Sequence, residues 1–171
     1  GTFSSAFALP LLCRIHEGTR FTTRDRRTLL DKILELLDTT GITHQLYLLL
    51  DAFYANRKII RGLLQRGHHL VSRVRMNAVA YLPASPTPAH RRGRRRVYGR
   101  KLPLRALFDD VSEFLTIASP IYGESGVNLQ YRVMDLVWRS VGIFVRFVAI
   151  IHPLRGRIIL ICTDTATQRM R

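Results

Sequence analysis

Cysteine is scarce in this chain, and over one long interval acid is missing altogether. The two cysteines, Cys13 and Cys162, stand near opposite ends with no C-x-x-C spacing, which excludes a disulfide framework and a zinc knuckle. Both lie in apolar runs and are expected as small core residues of a protein in a reducing cytoplasm. Long hydrophobic runs are also lacking. The longest, VGIFVRFVAIIHPL, is interrupted by Arg146 and is too short to span a bilayer. The first residues carry no basic signal-peptide region, and no lipidation motif occurs, so no membrane partner is expected. HEGTR (16–20) fails the HExxH pattern because position 20 is Arg, and GxGxxG, P-loop and GxSxG sequences are absent.

The missing acid is the most informative absence. No Asp or Glu occurs between Asp51 and Asp109, while the interval holds Arg57, Lys58, Arg61, Arg66, Arg73, Arg75, Arg91, Arg92, Arg94, Arg95, Arg96, Arg100, Lys101 and Arg105. The whole chain carries 27 Lys and Arg against 12 Asp and Glu, a formal charge of +15. Surfaces normally mix signs, and a field of one sign repels itself unless a polyanion neutralises it, which makes nucleic acid the expected partner. The bland alternative is a solvated helix face followed by a disordered basic tail.

What is present suits a globular protein. With 171 residues and 47% apolar side chains, the chain can bury a core of one domain or somewhat more. FALPLLCRIHEG (7–18) predicts a strand. Leu29, Leu30, Ile33, Leu36 and Leu37 recur at helical spacing and predict a helix over 23–39, with Thr22 and Asp25 as a capping-box-like start. Leu46 to Leu50 predict a strand buried on both faces. A helix follows over 56–66, stopped by Gly67, and then a strand over 69–75 with Leu70, Ser72 and Val74 on one side and Val71, Arg73 and Arg75 on the other. This is an α/β order. PASPTPAH (83–90) reads as a proline-rich linker and RRGRRRVYGRK (91–101) as a polybasic run. NLQYRVMDLVWR, GIFVRFVAIIHP and GRIILICTDT predict three strands joined by short turns.

Asp51 closes the strand 46–50, and two readings stand open. It caps the following helix, or it is a catalytic carboxylate in the loop at the carboxyl end of a strand, where open α/β sheets place their ligands. The segment LLLDAFYANRKIIRGLLQRGHHLVSRVRMNAVAYLP resembles the region around the second catalytic aspartate of DDE-type transposases from bacterial insertion sequences. ALPLLCRIHEGTRFTTRDRRTLLDKILELL is similar to that family's preceding stretch, and GRIILICTDT to the strand before its last catalytic helix.

The resemblance covers roughly residues 6–165. It implies a ribonuclease H-like mixed sheet with a β-rich insertion. The expected division is a partial catalytic core at 1–82, a linker at 83–101 and the insertion at 102–171. It further implies DNA transposition, with strand cleavage and transfer at a pair of divalent metals, Mg²⁺ or Mn²⁺, held by clustered carboxylates. Asp51 is then the catalytic and metal-binding residue. Arg57, Lys58, Arg73, Arg75, Arg91, Arg92, Arg94, Arg95, Arg96, Arg100 and Lys101 are the expected DNA contacts, and a homodimer is the expected state of the intact protein. The family's first Asp and last Glu have no counterpart here, so a piece of a longer protein, inactive alone, is expected. With the family's first strand lacking, Leu46 to Leu50 are expected as an unpaired, apolar edge that makes the isolated piece marginal or aggregation-prone. Asp164 lies on the strand before the last helix and is not assigned. A non-catalytic basic nucleic-acid-binding module and a decayed remnant are the alternatives.

Overall fold

The computed structural model describes residues 10–13, 27–85, 96–121 and 123–166. The chain divides into two compact units, 1–44 and 45–171. In the first, helix α1 spans Leu29–Thr39. Its start is a capping box six residues beyond the expected one: the amide of Asp31 donates to Thr28 Oγ1 at 3.3 Å and the amide of Thr28 to Asp31 Oδ2 at 2.9 Å. Thr28 and Asp31 have the same three-residue spacing as Thr22 and Asp25, so spacing alone did not choose between them. Residues 10–13, the described part of the strand expected over 7–18, lie outside any strand, and Cys13 is exposed rather than buried.

The second unit is built on one sheet. Strand β1 (Tyr47–Leu50) runs parallel to β2 (His69–Val74), with helix α2 (Arg57–Gln65) connecting them. Beyond β2 the pairing is antiparallel: β8 (Gly156–Cys162), β7 (Ile143–His152), β6 (Asn128–Trp138), β3 (Val79–Pro83) and β4 (Tyr98–Pro103) follow in that spatial order, and β5 (Leu115–Ala118) pairs with β6. The three strands expected in NLQYRVMDLVWR, GIFVRFVAIIHP and GRIILICTDT are β6, β7 and β8. The result is a mixed α/β fold with a mostly-sheet core, compatible with a ribonuclease H-like plan. The strands of the β-rich segment join the same sheet as β1 and β2 through the β2–β8 pairing.

α2 forms because Ile59, Ile60 and Leu63 recur on one side of a turn-and-a-half of helix, and Asn56 caps its start. Gly67, at φ +73°, turns the chain out of the helix in a conformation that side chains with a Cβ resist. The three apolar residues are fully buried, as are Leu70 of β2, Ile159 and Ile161 of β8, Val145 and Phe147 of β7 and Leu136 of β6. Each such side chain contributes about 1.5–3 kcal/mol by leaving water. On the opposite side of the sheet Val71, Leu160, Val148 and Val133 are only half-buried. There Arg146 crosses from β7 to Asp135 of β6 in two hydrogen bonds of 2.8 and 2.9 Å, a bond that raises the guanidinium pKa above its ordinary value.

The two edges of the sheet differ. The apolar run of β1 predicts burial on both faces, and the lacking first strand an unpaired edge; among the described residues β1 pairs on one side only, and Tyr47 and Leu49 are 45% and 78% exposed. β4, at the other edge, carries Arg100, Lys101 and Pro103, the residue types that keep an edge from pairing further. No helix among the described residues is long and apolar enough to cross a membrane.

Candidate active site

Asp51 follows directly on β1, and three contacts hold it. Its Oδ1 accepts the amide of Phe53 at 2.9 Å, its carbonyl accepts the amide of Tyr54 at 3.1 Å, and the buried hydroxyl of Ser72 donates to the same carbonyl at 2.8 Å. The first two bend the chain back on itself in an Asx turn. The third ties the turn to β2. Asp51 itself is exposed.

The helix cap is a different residue. Asn56 Oδ1 accepts the amides of Lys58 at 3.0 Å and Ile59 at 3.1 Å, and its Nδ2 donates to the carbonyl of Phe53 at 3.1 Å. Asp51 therefore does none of the capping, and the simpler of its two readings is removed. Ser72 and Asn56 were both missed as positioning residues. Asn before a helix is a legible cap signal, whereas the Ser72 contact depends on which strands pair and has no local signature.

The parallel register sets Leu50 beside Ser72, so Asp51 follows on next to Arg73. Arg73 and Arg75 are exposed and, with Ala52 of the Asp51 loop, line a cavity of about 390 Å³. Their outward position leaves both guanidinium groups in water, so neither carries the cost of a buried charge. Neither has a hydrogen-bond or ion-pair partner among the described residues. Arg57 and Lys58 open α2, also exposed, and no acid lies in that first turn. Cations there oppose the helix dipole.

The remaining predicted contacts are elsewhere. Arg96 precedes β4 and Arg100 and Lys101 lie on it, five strand positions from β2, which is about 24 Å across the sheet. The structure thus separates the expected DNA contacts into two groups. Arg91, Arg92, Arg94 and Arg95 lie outside the described residues.

Other titratable groups are accounted for by packing. His68 is buried and its Nδ1 accepts the amide of Leu46 at 3.4 Å, while His69 stacks on Tyr47 with ring centroids 5.5 Å apart. Asp164 is buried, accepts from the hydroxyl of Tyr47 and accepts the amide of Ala166 at 2.8 Å. Tyr47 and Asp51 are at opposite ends of β1, so Asp164 is not brought to Asp51. Burial pushes the Cys162 thiol above its ordinary pKa, which suits a packed residue and not a nucleophile.

Among the described residues no three His, Cys, Asp or Glu side chains gather into a cation site. Asp51 supplies one hard-oxygen ligand, exposed and fixed at its backbone, which fits one corner of a Mg²⁺ or Mn²⁺ shell that keeps most of its waters.

A family model described as DDE superfamily endonuclease matches residues 13–118, a span that includes Asp51, both arginines of the cavity and β4. No curated protein and no solved structure matches the chain.

Proposed function

The chain belongs to the DDE superfamily of endonucleases, and from that premise we propose that it is part of a transposase catalytic domain in which Asp51 is one of the metal-binding carboxylates. Membership of the superfamily makes DNA the substrate and a divalent cation the general cofactor. The finer reading is an insertion-sequence transposase with a ribonuclease H-like core and a β-rich insertion, using Mg²⁺ or Mn²⁺ and working in the intact protein as a homodimer. The observation that carries it is the freedom of Asp51. It stands exposed at the carboxyl end of β1, the helix behind it is capped by Asn56, and Arg73 and Arg75 line the adjoining cavity.

The chain's own residues have separable tasks. Ser72 and the Asx turn hold the backbone of Asp51, so that its carboxylate enters the reaction without first being ordered. Arg73, Arg75, Arg57 and Lys58 attract phosphates to the same end of the sheet and offset their charge. A divalent ion bound there supplies activation of the attacking hydroxyl and charge neutralisation at the phosphodiester.

The decisive experiment is Asp51→Asn in the complete gene product. Strand transfer should fall by at least about a thousandfold, the equivalent of several kcal/mol of metal-derived stabilisation, while DNA binding stays at the parent level. Retained strand transfer removes Asp51 from the active site. A second reading, a metal-indifferent nucleic-acid-binding module, is favoured because no three His, Cys, Asp or Glu side chains gather into a cation site among the described residues. It requires DNA binding and every associated activity to be unchanged by Mg²⁺ or chelator.

A further inference from the structure

The two cationic groups share one sheet but not one location, and we propose that the edge strand β4 is a second duplex-DNA grip, engaging the helix about seven base pairs from the phosphate held near Asp51. The proposal rests on DNA being the partner and adds where, and how far from the cut, the protein holds it.

Three observations support a built surface at β4. First, Arg96, Arg100 and Lys101 are exposed and have no side-chain partner among the described residues. Other arginines of the sheet region are engaged: Arg132 lies 3.8 Å from Glu113, Arg146 is 2.8 Å from Asp135 and Arg155 is 2.7 Å from Glu124. Acids are paired with those cations, and none of the described acids is paired with a cation of β4.

Second, these cations are carried on a fixed element. A Cβ on Gly99 would lie 2.4 Å from the carbonyl oxygen of Pro83 and 2.9 Å from that of Leu82, so β4 is seated against β3 more closely than any other residue would allow. Tyr98 packs on Tyr81 with ring centroids 5.2 Å apart. Third, Lys101 is registered with Tyr81, and Arg100, its neighbour along the strand, points to the opposite face. This strand therefore presents positive charge on both sides of an edge that meets no further strand among the described residues.

Distance turns this surface into a statement about DNA. Five strand spacings separate β2 from β4, about 24 Å. A duplex rises about 3.4 Å per base pair, so a helix with one phosphate near Arg73 reaches β4 after about seven base pairs. Sheet twist of roughly 20–25° per strand also turns β4 by about 100° relative to β2, so the two groups meet the helix from different sides. Shorter duplexes reach one group or the other, and longer ones engage both.

The test measures binding of random-sequence duplexes of about 6 and about 16 base pairs as a function of salt, for the parent chain and for the variant combining Arg96→Ala, Arg100→Ala and Lys101→Ala. With the long duplex the variant should lose about 2.7 from the slope of log affinity against log salt, about 0.9 for each cation, and with the short duplex much less. A charge-preserving exchange, Arg100→Lys with Lys101→Arg, should keep the parent slope at both lengths. Equal slopes for parent and variant on the long duplex overturn the proposal. So does a deficit just as large on the short duplex, or loss of the slope in the charge-preserving exchange. Because these are binding measurements, they stand or fall separately from the Asp51→Asn result on strand transfer.

Discussion

Replacing Arg57 by glutamate should make the protein more stable and a poorer DNA binder. Arg57 is the first residue of α2, exposed, in a turn that contains no acid. The unpaired amides there form the positive end of the helix dipole, where a cation is unfavourable and an anion favourable, each by about 0.3–1 kcal/mol at low salt. Arg57→Glu removes one term and adds the other, a gain of about 1 kcal/mol, with Asn56 left in place as the cap. In a domain of this size that gain raises the melting midpoint by about 2–4 °C. DNA binding should move the other way, with the salt slope falling by about 0.9 for the lost phosphate contact and affinity falling further from repulsion. Circular dichroism melts at low and high salt read the first effect, which should shrink as salt screens it. Anisotropy titrations read the second, and Arg57→Gln should lie between parent and glutamate in both. A glutamate variant that melts below the parent at low salt, or that binds DNA with the parent slope, refutes the claim that this position trades stability for phosphate contact.

Two further outcomes test the geometry. Ser72→Ala deletes the hydroxyl that holds the Asp51 carbonyl at 2.8 Å. It should cost about 1 kcal/mol of stability and raise the Mg²⁺ concentration needed for half-maximal strand transfer by about tenfold; an unchanged metal requirement would show that the latch plays no part in the site. The Glu124 carboxyl is held below its ordinary pKa of 4.5, first by the 2.6 Å bond from Ser119 and then by His152 and Arg155. A depressed folded-state pKa contributes stability that is present above the unfolded value and lost as pH falls through the folded one. Hydrogen-exchange protection in 119–127, taken relative to the intrinsic rate at each pH, should therefore fall as pH drops below 4.5 in the parent and stay nearly constant in Glu124→Gln. Matching pH profiles would remove Glu124 as the cause.

Local patterns in the chain carried much of this fold, and pairing between distant segments carried the rest. Three apolar segments joined by short turns were enough to find β6, β7 and β8, because hairpin-connected antiparallel strands are neighbours in sequence. α2 announced itself by Ile59, Ile60 and Leu63 and by Gly67. The start of α1 was misplaced because Thr28 and Asp31 repeat the spacing of Thr22 and Asp25. The apolar run of β1 reads as a strand buried on both faces, and its unpaired edge was expected only from the resemblance, because strand order is not encoded in periodicity. At the candidate site, the acid-free interval and Asp51 were both visible in the sequence. The separation of the cations into two groups was not, since Arg73 and Lys101 are brought to different strands by the β2–β8 and β3–β6 pairings.

The unlike margins of the sheet limit what it can join. Stacking into a fibre by strand addition needs a receptive border on each side of every molecule, so that each newcomer leaves an opening for the next. Among the described residues one border, at Leu49, meets no further strand and is oily, while the other is guarded by like charges and a proline. A strand added at the first finds no continuation at the second, so accretion through these margins terminates after a single step.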